Sequence, residues 1–321
     1  MIELGVNLIP DTDIDSIVTL AAEAEQLGFS RCRVYDEGLV TRDVHVVMSA
    51  IASATERMTV GPGITNPYTR HPAQTAAAIA SLDELSGGRA SLGIGAGGSL
   101  TLDPIGLRRV RALRAIRETI EISRALFSGE RVSYDGDFAA LHDAQLDYAR
   151  HDIEIWLAGR GPKVLQLGAE LADGVMLDFL HEDVLADAVA SIEQAASSAG
   201  RRCELGYSTV VVTEDDDLEF VRPHMTYRLV DAPPAIKQRI GLGDDDAARI
   251  RSAMSGGLEA AAEHVRDEWV LPFIIHGSRS ECRRQLDRLI DRHGFSEFVL
   301  PMFDMPDPSS YLRRVATTFE G

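Results

Sequence analysis

The sequence predicts an α/β protein, a closed (β/α)8 barrel of the TIM-barrel type, in a single domain that covers residues 1–321. Short apolar stretches alternate with amphipathic helices from one end of the chain to the other, which is the pattern of repeated strand–helix units. Eight such units can be counted, and right-handed crossovers between parallel strands favour closure into a barrel. An open doubly wound sheet is the alternative.

Four of the units lie in the first third of the chain. Their strands are predicted at residues 4–8, 31–35, 58–60 and 89–94. Thr12 or Asp13 caps the first helix, which Gly28 ends. Helices are also predicted at 43–55 and from Pro72 to about Leu85. A long amphipathic helix follows the fourth strand, and its apolar face consists of Leu107, Val110, Leu113, Ile116 and Ile120.

The second half of the chain completes the repeat. Strands are predicted at 154–157, 174–177, 205–212 and 297–300, and helices at 163–171, 184–198 and 309–318. A capping box from Ser278 to Glu281 opens another helix, which runs to about Arg292. Two segments do not fit the repeat: about 129–152 is interpreted as a hairpin-like excursion, and about 214–269 as a helical insertion. Insertions of this kind lie over the active face of a barrel and shape substrate choice.

Composition excludes several classes of function. A formal net charge of −18 opposes binding to nucleic acid or to an anionic membrane surface, because like charges repel. The apolar runs are far shorter than the roughly 20 residues that cross a bilayer. The amino terminus shows no signal-peptide pattern, so we expect a cytoplasmic protein. Cys32, Cys203 and Cys282 have neither disulfide nor metal-ligand spacing, and no histidine has a zinc-helix partner, so no metal is expected.

The residues that directly follow the strands of such a barrel meet at one mouth, and Asn7, Asp178 and three glycine-rich loops lie there. The first loop, 61–72, reads Gly-Pro-Gly-Ile-Thr-Asn-Pro-Tyr-Thr-Arg-His-Pro. Two Gly and three Pro in twelve positions specify a fixed irregular backbone that a flat ligand can approach closely. A rigid loop that binds nothing is the alternative interpretation.

The other two loops offer backbone donors. Residues 95–98 read Gly-Ala-Gly-Gly and can donate N–H groups to a polar ring edge or to an anionic chain, and an ordinary glycine-rich turn is the alternative. Residues 93–98 match the letters of the dinucleotide-binding Gly-x-Gly-x-x-Gly pattern, but a loop through Pro104 is expected where that pattern needs a helix. Residues 159–163, Gly-Arg-Gly-Pro-Lys, place glycines and two cations before a helix, which favours a phosphate site over a solvated cation pair.

The loop 61–72 resembles the loop after strand three in the coenzyme F420-dependent methylenetetrahydromethanopterin reductases, which belong to the bacterial-luciferase-like superfamily. The resemblance extends to residues 82–98, 157–174 and 294–300 and so covers most of the barrel, whereas the insertion 214–269 matches nothing. It implies a luciferase-like TIM barrel, usually dimeric, with F420 bound in the mouth. It also implies that the deazaflavin ring lies against a bulge with a non-prolyl cis peptide at or next to Gly63–Ile64.

Carried over by position, the resemblance assigns cofactor-binding roles. Asp36 matches the acidic residue near the ring. The bulge is matched by Gly63, Ile64 and Asn66. The loop along the ring is matched by Gly95, Ala96, Gly97 and Gly98. The phosphate loop is matched by Gly159, Arg160, Gly161, Pro162 and Lys163. Many relatives have His after the acid, whereas this chain has Glu37, so Asp36, Glu37 or solvent is left as the candidate acid/base. A solvated carboxylate pair without a chemical role is the alternative.

The expected function is therefore F420-dependent hydride transfer to or from a small organic substrate, of which a methylenetetrahydromethanopterin reductase-like activity is one form. The cofactor carries the chemistry, so no side-chain nucleophile is required. An FMN-dependent monooxygenase of the same superfamily is the first alternative. A non-catalytic barrel that has kept the scaffold is the second.

Overall fold

The structure is a computed structural model that describes residues 2–214, 216–303 and 305–319. Its strands are β1 (Glu3–Leu8), β2 (Arg31–Val34), β3 (Thr59–Pro62), β4 (Ser91–Ile94), β5 (Val132–Asp135), β6 (Ala140–Ala144), β7 (Glu154–Ala158), β8 (Gly174–Asp178), β9 (Glu204–Ser208), β10 (Val211–Val212), β11 (Ile275–His276) and β12 (Glu297–Met302). Its α-helices are α1 (Ile14–Gln26), α2 (Val44–Ala54), α3 (Pro72–Ser86), α4 (Ser99–Leu102), α5 (Ala112–Phe127), α6 (Pro162–Leu171), α7 (Glu182–Ser198), α8 (Asp217–Val230), α9 (Pro234–Arg239), α10 (Asp244–Ala253), α11 (Leu258–Ala262), α12 (Asp267–Val270), α13 (Arg279–His293) and α14 (Pro308–Phe319). Within the described residues, no helix is long and apolar enough to cross a membrane.

Eight parallel strands form the barrel, in the order β3-β2-β1-β12-β9-β8-β7-β4. The two ends of this sheet meet, because bridges join Val60 to Ala90 and Thr65 to Ile94. The backbone approach is very close there: a Cβ on Gly93 would lie 2.1 Å from the carbonyl oxygen of Pro62, so only glycine fits. The predicted (β/α)8 barrel is confirmed, and the open sheet is wrong.

Local signals in the sequence determine where several helices begin and end. Asp13 caps α1 by accepting a hydrogen bond from the Ser16 amide at 2.9 Å, and Gly28 follows the helix with a φ of +90°. Ser278 and Glu281 form both halves of the capping box that starts α13. These short-range interactions satisfy backbone donors that a helix leaves free at its first turn.

Three expectations about the elements are wrong in detail. Leu107 and Val110 do not belong to the helix after strand four, because positive φ angles at Gly106 and Arg111 interrupt the chain before α5 begins, and Val110 is 57% exposed. The segment after Gly98 is not a loop throughout, since α4 begins at Ser99. The strand predicted at 205–212 is divided into β9 and β10, and β10 leaves the barrel to pair with β11.

The two segments outside the repeat form a hairpin and a group of helices. Strands β5 and β6 form an antiparallel hairpin. Its turn is held by the fully buried carboxylate of Glu118, which accepts hydrogen bonds from the amides of Asp137, Phe138 and Ala139. Helices α8 to α12 form the second insertion and have an apolar core of their own. Because that core includes Phe179, which directly follows β8, the insertion packs at the carboxyl ends of the barrel strands.

The interior of the barrel contains buried ion pairs as well as apolar side chains. Arg33 on β2 donates two hydrogen bonds to Glu297 on β12, at 2.6 and 3.1 Å, and both side chains are almost fully buried. Arg31 pairs with Glu3 and Glu154 and lies 3.9 Å from Glu297. The Arg33 guanidinium also lies over the ring of Trp156 at 4.8 Å. Glu297 therefore neutralises charge that cannot reach water.

We expect Glu297→Gln to lower the free energy of unfolding by about 3–5 kcal/mol, because it leaves a buried guanidinium without a counter-charge. The loss is measured by urea-induced unfolding followed by circular dichroism. Asp143→Asn is the control, since the Arg131–Asp143 pair is well exposed. That control is expected to cost less than about 1 kcal/mol. Equal unfolding midpoints for the two variants would contradict this account of the barrel interior.

Candidate functional site

A cavity of about 430 Å³ lies at the carboxyl ends of the barrel strands. The predicted site residues that line it are Asp36, Glu37, Gly63, Ile64, Asn66, Ala96, Gly97, Gly98, Gly159 and Arg160. Gly95, Gly161, Pro162 and Lys163 are not among the lining residues. The three glycine-rich loops and the acidic pair therefore meet at one place, although the last loop contributes only its first two predicted residues.

The loop after β3 forms a bulge that is hydrogen-bonded on both sides. Its Gly63–Ile64 peptide bond is cis, at the position that the resemblance implies. The Gly63 amide donates to the carbonyl oxygen of Val34 at 2.7 Å, and its own carbonyl accepts from Nδ2 of Asn7 at 2.8 Å. On the other side, the Thr65 amide donates to the carbonyl oxygen of Gly93 at 3.0 Å. The bulge is thus tied to three barrel strands.

Glycine is required at position 63 by the side chains beneath the bulge. A Cβ there would lie 2.5 Å from Cβ of Arg33 and 2.6 Å from Oδ1 of Asn7, closer than atoms can approach. Gly95 has a different structural role, because a Cβ on it would lie 2.0 Å from Cδ1 of Ile64. Gly95 therefore makes room for Ile64 from behind, whereas the sequence predicted it among the residues along the ring.

The glycine turn after β4 is held against the bulge loop, since the Gly95 amide donates to the carbonyl oxygen of Thr65 at 2.9 Å. Oδ1 of Asn66 accepts hydrogen bonds from the amides of Tyr68 and Thr69, at 2.9 and 3.1 Å, which fixes the loop beyond the bulge. Gly97 has a φ of +75°, and Nη1 of Arg109 donates to its carbonyl oxygen at 3.2 Å. Sequence analysis missed Arg109, because the segment around it was predicted to be part of a helix.

Two carboxylates after β2 face the same cavity. Asp36 accepts a hydrogen bond from Oγ1 of Thr65 at 2.6 Å, and Glu37 accepts one from Oγ1 of Thr101 at 3.2 Å. Burial raises the pKa of Glu37 above that of an exposed glutamate; the Thr101 hydrogen bond opposes this shift, and the charge of Asp36 adds to it. Glu37 consequently keeps a proton to higher pH than an ordinary glutamate does.

The third loop is arranged partly as predicted. Helix α6 begins at Pro162 with Gly161 as its cap, which is the helix start that the sequence indicated. Arg160 is exposed and lines the cavity, whereas Lys163 lies in the first turn of α6 outside the lining. The two cations of the predicted phosphate site therefore do not face the cavity together.

Several lining residues were not predicted as site residues, and two of them form an ion pair. Nη2 of Arg228 donates to Oδ2 of Asp178 at 2.9 Å. Asp178 ends β8, so its place at the mouth follows from the strand pattern. Arg228 lies on α8 in the insertion, where no sequence motif indicates which residue faces the cavity. Asn7, which the strand pattern also places at the mouth, lines the cavity as well. The lining residues that the sequence did not place there include Arg33, Tyr35, Trp156, Met176, Ser208 and Val299.

A family model described as luciferase-like monooxygenase matches residues 2–297. The chain belongs to this family. It is 32% identical over 298 residues to the 5,10-methylenetetrahydromethanopterin reductase of Archaeoglobus fulgidus, a match that covers 89% of this chain and 90% of the relative. It is 29% identical to the enzyme of the same name from Methanopyrus kandleri, over 98% of this chain and 96% of the relative.

Two solved structures share the fold of this chain. The coenzyme F420 dependent tetrahydromethanopterin reductase from Methanopyrus kandleri superposes with a TM-score of 0.89 at 27% identity, over 99% of this chain and 98% of that one. The oxygenating constituent of 3,6-diketocamphane monooxygenase from Pseudomonas putida, in complex with FMN, superposes with a TM-score of 0.70 at 19% identity, over 98% and 96%. The second likeness concerns the fold alone.

Proposed function

We propose that this protein is a coenzyme F420-dependent oxidoreductase that moves a hydride between the deazaflavin and a small organic substrate. The observation that carries the proposal is the bulge at Gly63–Ile64, which meets the glycine turn at Gly97–Gly98 in one cavity. Together they make a wall with few side chains, against which a planar ring can lie. The relatives named as 5,10-methylenetetrahydromethanopterin reductases support a related reaction and a reduced pterin as substrate.

The residues of the cavity fit a deazaflavin. Asn7 is only 8% exposed, and while its Nδ2 is used by Gly63, its buried Oδ1 has no partner among the described residues. An unpaired buried acceptor at the bulge suits a ring N–H donor. Arg109 and Arg160 make no ion pair with the described residues and can neutralise a phosphate-bearing side chain.

The chain itself would bind and orient the cofactor and the substrate, and it would exclude water from the cavity. When bound, F420 supplies the carbon that gives or takes the hydride, so the protein needs no nucleophile. The bulge at Gly63–Ile64 would support the ring, and the rest of the cavity would take the substrate, which would bring the reacting atoms together. Asp36 and Glu37 stand at the same cavity, and Glu37, with its raised pKa, is the better candidate to supply a proton.

Cofactor titrations test this proposal. We expect the wild-type protein to bind F420 more tightly than FMN in fluorescence titrations, since the FMN-dependent alternative is supported by likeness of fold alone. Gly63→Val should weaken F420 binding at least about tenfold, because the added side chain displaces the bulge by clashing with Asn7 and Arg33.

Gly243→Val is the matched control for this experiment. Gly243 caps α10 in the insertion with an extended backbone, and a Cβ there meets only Asp246, at 3.7 Å. Its F420 affinity should equal that of the wild type, and thermal unfolding identifies any loss of folded Gly63→Val protein. Tight FMN binding by the wild type, with none of F420, would reverse the assignment.

The pH dependence of kcat/KM tests whether Glu37 supplies a proton. If Glu37 gives a proton, kcat/KM falls as pH rises through its pKa, because the protonated form is the active one. Thr101→Val removes the hydrogen bond that favours the carboxylate, so the falling limb should move up by about one pH unit. Thr101→Ser keeps the hydroxyl and should leave the limb in place. A limb that persists unchanged in Glu37→Gln would point to Asp36 or solvent instead.

We also propose that the protein is cytoplasmic and that it forms a homodimer, and the resemblance implies the dimer. Its cysteines are free thiols, and burial raises the pKa of each, which suits a reducing compartment. Leu39, Val40 and Val46 expose large apolar side chains within eight residues, and Leu39 is 74% exposed. An apolar cluster of this kind is typical of an interface.

Sedimentation equilibrium tests the dimer. The wild type is expected to sediment as a dimer at micromolar concentration, and the double variant Leu39→Asp/Val46→Asp as a monomer, because unpaired carboxylates cannot be buried in an apolar contact. Val110→Asp is the control, since Val110 is also exposed but lies in the segment before α5. A monomeric wild type would contradict the dimer, and dissociation by Val110→Asp alone would place the interface elsewhere.

A further inference from the structure

We propose that the Asp178–Arg228 ion pair determines substrate specificity and selects a substrate with an amide-type edge, in which a hydrogen-bond donor stands beside an acceptor. The inference rests on the proposed function, because it assumes that the redox ring lies against the bulge. It adds a residue from the insertion to a site otherwise built from barrel loops, and it assigns a chemical preference to that residue.

Topology puts the pair on the far side of the mouth from the acidic loop. In the circular order of eight strands, β8 lies four positions from β2 in either direction. Asp178 ends β8, and Asp36 and Glu37 follow β2, so the two groups face each other across the cavity that both line. A substrate lying between them would be held by the pair at one end and would reach the candidate proton donor at the other.

The Arg228 side chain is held in place before any ligand arrives. Nη1 donates to the carbonyl oxygen of His224 at 2.6 Å, Nη2 donates to Asp178, and Cζ lies 4.0 Å from the centre of the Phe179 ring. Phe179 in turn stacks on Phe303. A guanidinium fixed on three sides loses little conformational entropy on binding, which is how a specific contact gains affinity.

The pair retains unused hydrogen-bonding capacity on neighbouring atoms. Nε of Arg228 is buried and has no partner among the described residues. Asp178 uses Oδ2 for Arg228, and its Oδ1 makes no hydrogen bond within the described part of the chain. The pair therefore offers donors from the guanidinium beside a free carboxylate acceptor, and the complementary partner is a group with a donor next to an acceptor.

Charge excludes the main competing class of ligand. Arg228 and Asp178 neutralise each other, so a phosphate or carboxylate gains no net attraction from the pair and meets the negative Asp178. Arg109 and Arg160, which line the same cavity and make no ion pair with the described residues, attract an anion instead. The cavity is therefore divided: an anionic group binds near the glycine loops, and a neutral edge binds at the insertion.

The test uses two small ring compounds that differ at this edge. 6,7-Dimethylpterin carries an amino donor next to its ring amide, whereas 1,3,6,7-tetramethyllumazine carries only carbonyls and N-methyl groups along the same edge and has no donor there. Binding of each to the F420-loaded protein is measured by calorimetry. The wild type should prefer the pterin at least about tenfold, because the lumazine sets an acceptor against the Asp178 carboxylate.

The variants separate the two halves of the pair. Asp178→Asn should reduce the preference to less than threefold, since an amide can donate to the lumazine carbonyl. Arg228→Met should weaken binding of both compounds at least tenfold, and Arg228→Lys should restore only part of it. Arg222→Met is the matched control: Arg222 lies on the same helix and pairs with Asp267 at 2.6 Å, but it does not line the cavity.

Every outcome bears on the proposal. Failure of the wild type to bind or to prefer the pterin, or an unchanged preference in Asp178→Asn, would overturn it and leave the pair as a contact that docks the insertion. A tenfold loss of F420 affinity in either variant would overturn it by assigning the pair to the cofactor. If F420 does not bind the wild type, the proposed function fails, and the same two compounds titrated into the cofactor-free protein still test the pair.

Discussion

The close packing of Gly63 on Asn7 and Arg33 is the constraint on which the mouth of this barrel depends. No Cβ fits between the bulge and these two side chains, and Asn7 also holds the Gly63 carbonyl by a hydrogen bond. Arg33 can stand there because Glu297 binds its guanidinium deep in the barrel. The position of the bulge thus depends on a buried ion pair, and the shape of the ligand cavity is linked to the electrostatics of the barrel interior.

Such an interior costs stability, since charges taken out of water need partners with good geometry. An apolar barrel of the same volume would avoid that cost but would offer no side chain with the length and rigidity of an Arg33 clamped by Glu297 and stacked on Trp156. The same arrangement recurs at the rim, where Asp178 and Phe179 hold Arg228. In both places a guanidinium between a carboxylate and an aromatic ring supplies a fixed wall of the cavity.

Periodicity and capping were enough to predict the barrel, most strand and helix positions, and the meeting of the three glycine loops, because these depend on local patterns and on the common direction of parallel strands. Local patterns do not determine whether a loop residue points into the cavity or away from it. Gly95 was predicted along the ring but lies behind Ile64, and Lys163 turns into α6. Leu107 and Val110 continued a helical pattern that the backbone at Gly106 and Arg111 interrupts. Arg228 could not be found at all, since only the packing of the insertion brings it to the mouth.

The barrel strands and the insertion hold different parts of this site, so the two parts can change separately. The bulge and the glycine turn are fixed by contacts among β1, β2, β3 and β4, and a substitution there alters the wall for a planar ring. The insertion has its own apolar core around Met225, Leu229 and Trp269, so its helices can be repacked without moving the bulge. Phe179, which belongs to that core and touches Arg228, is the link between them. Substrate preference can therefore change through α8 while the hydride carrier stays the same.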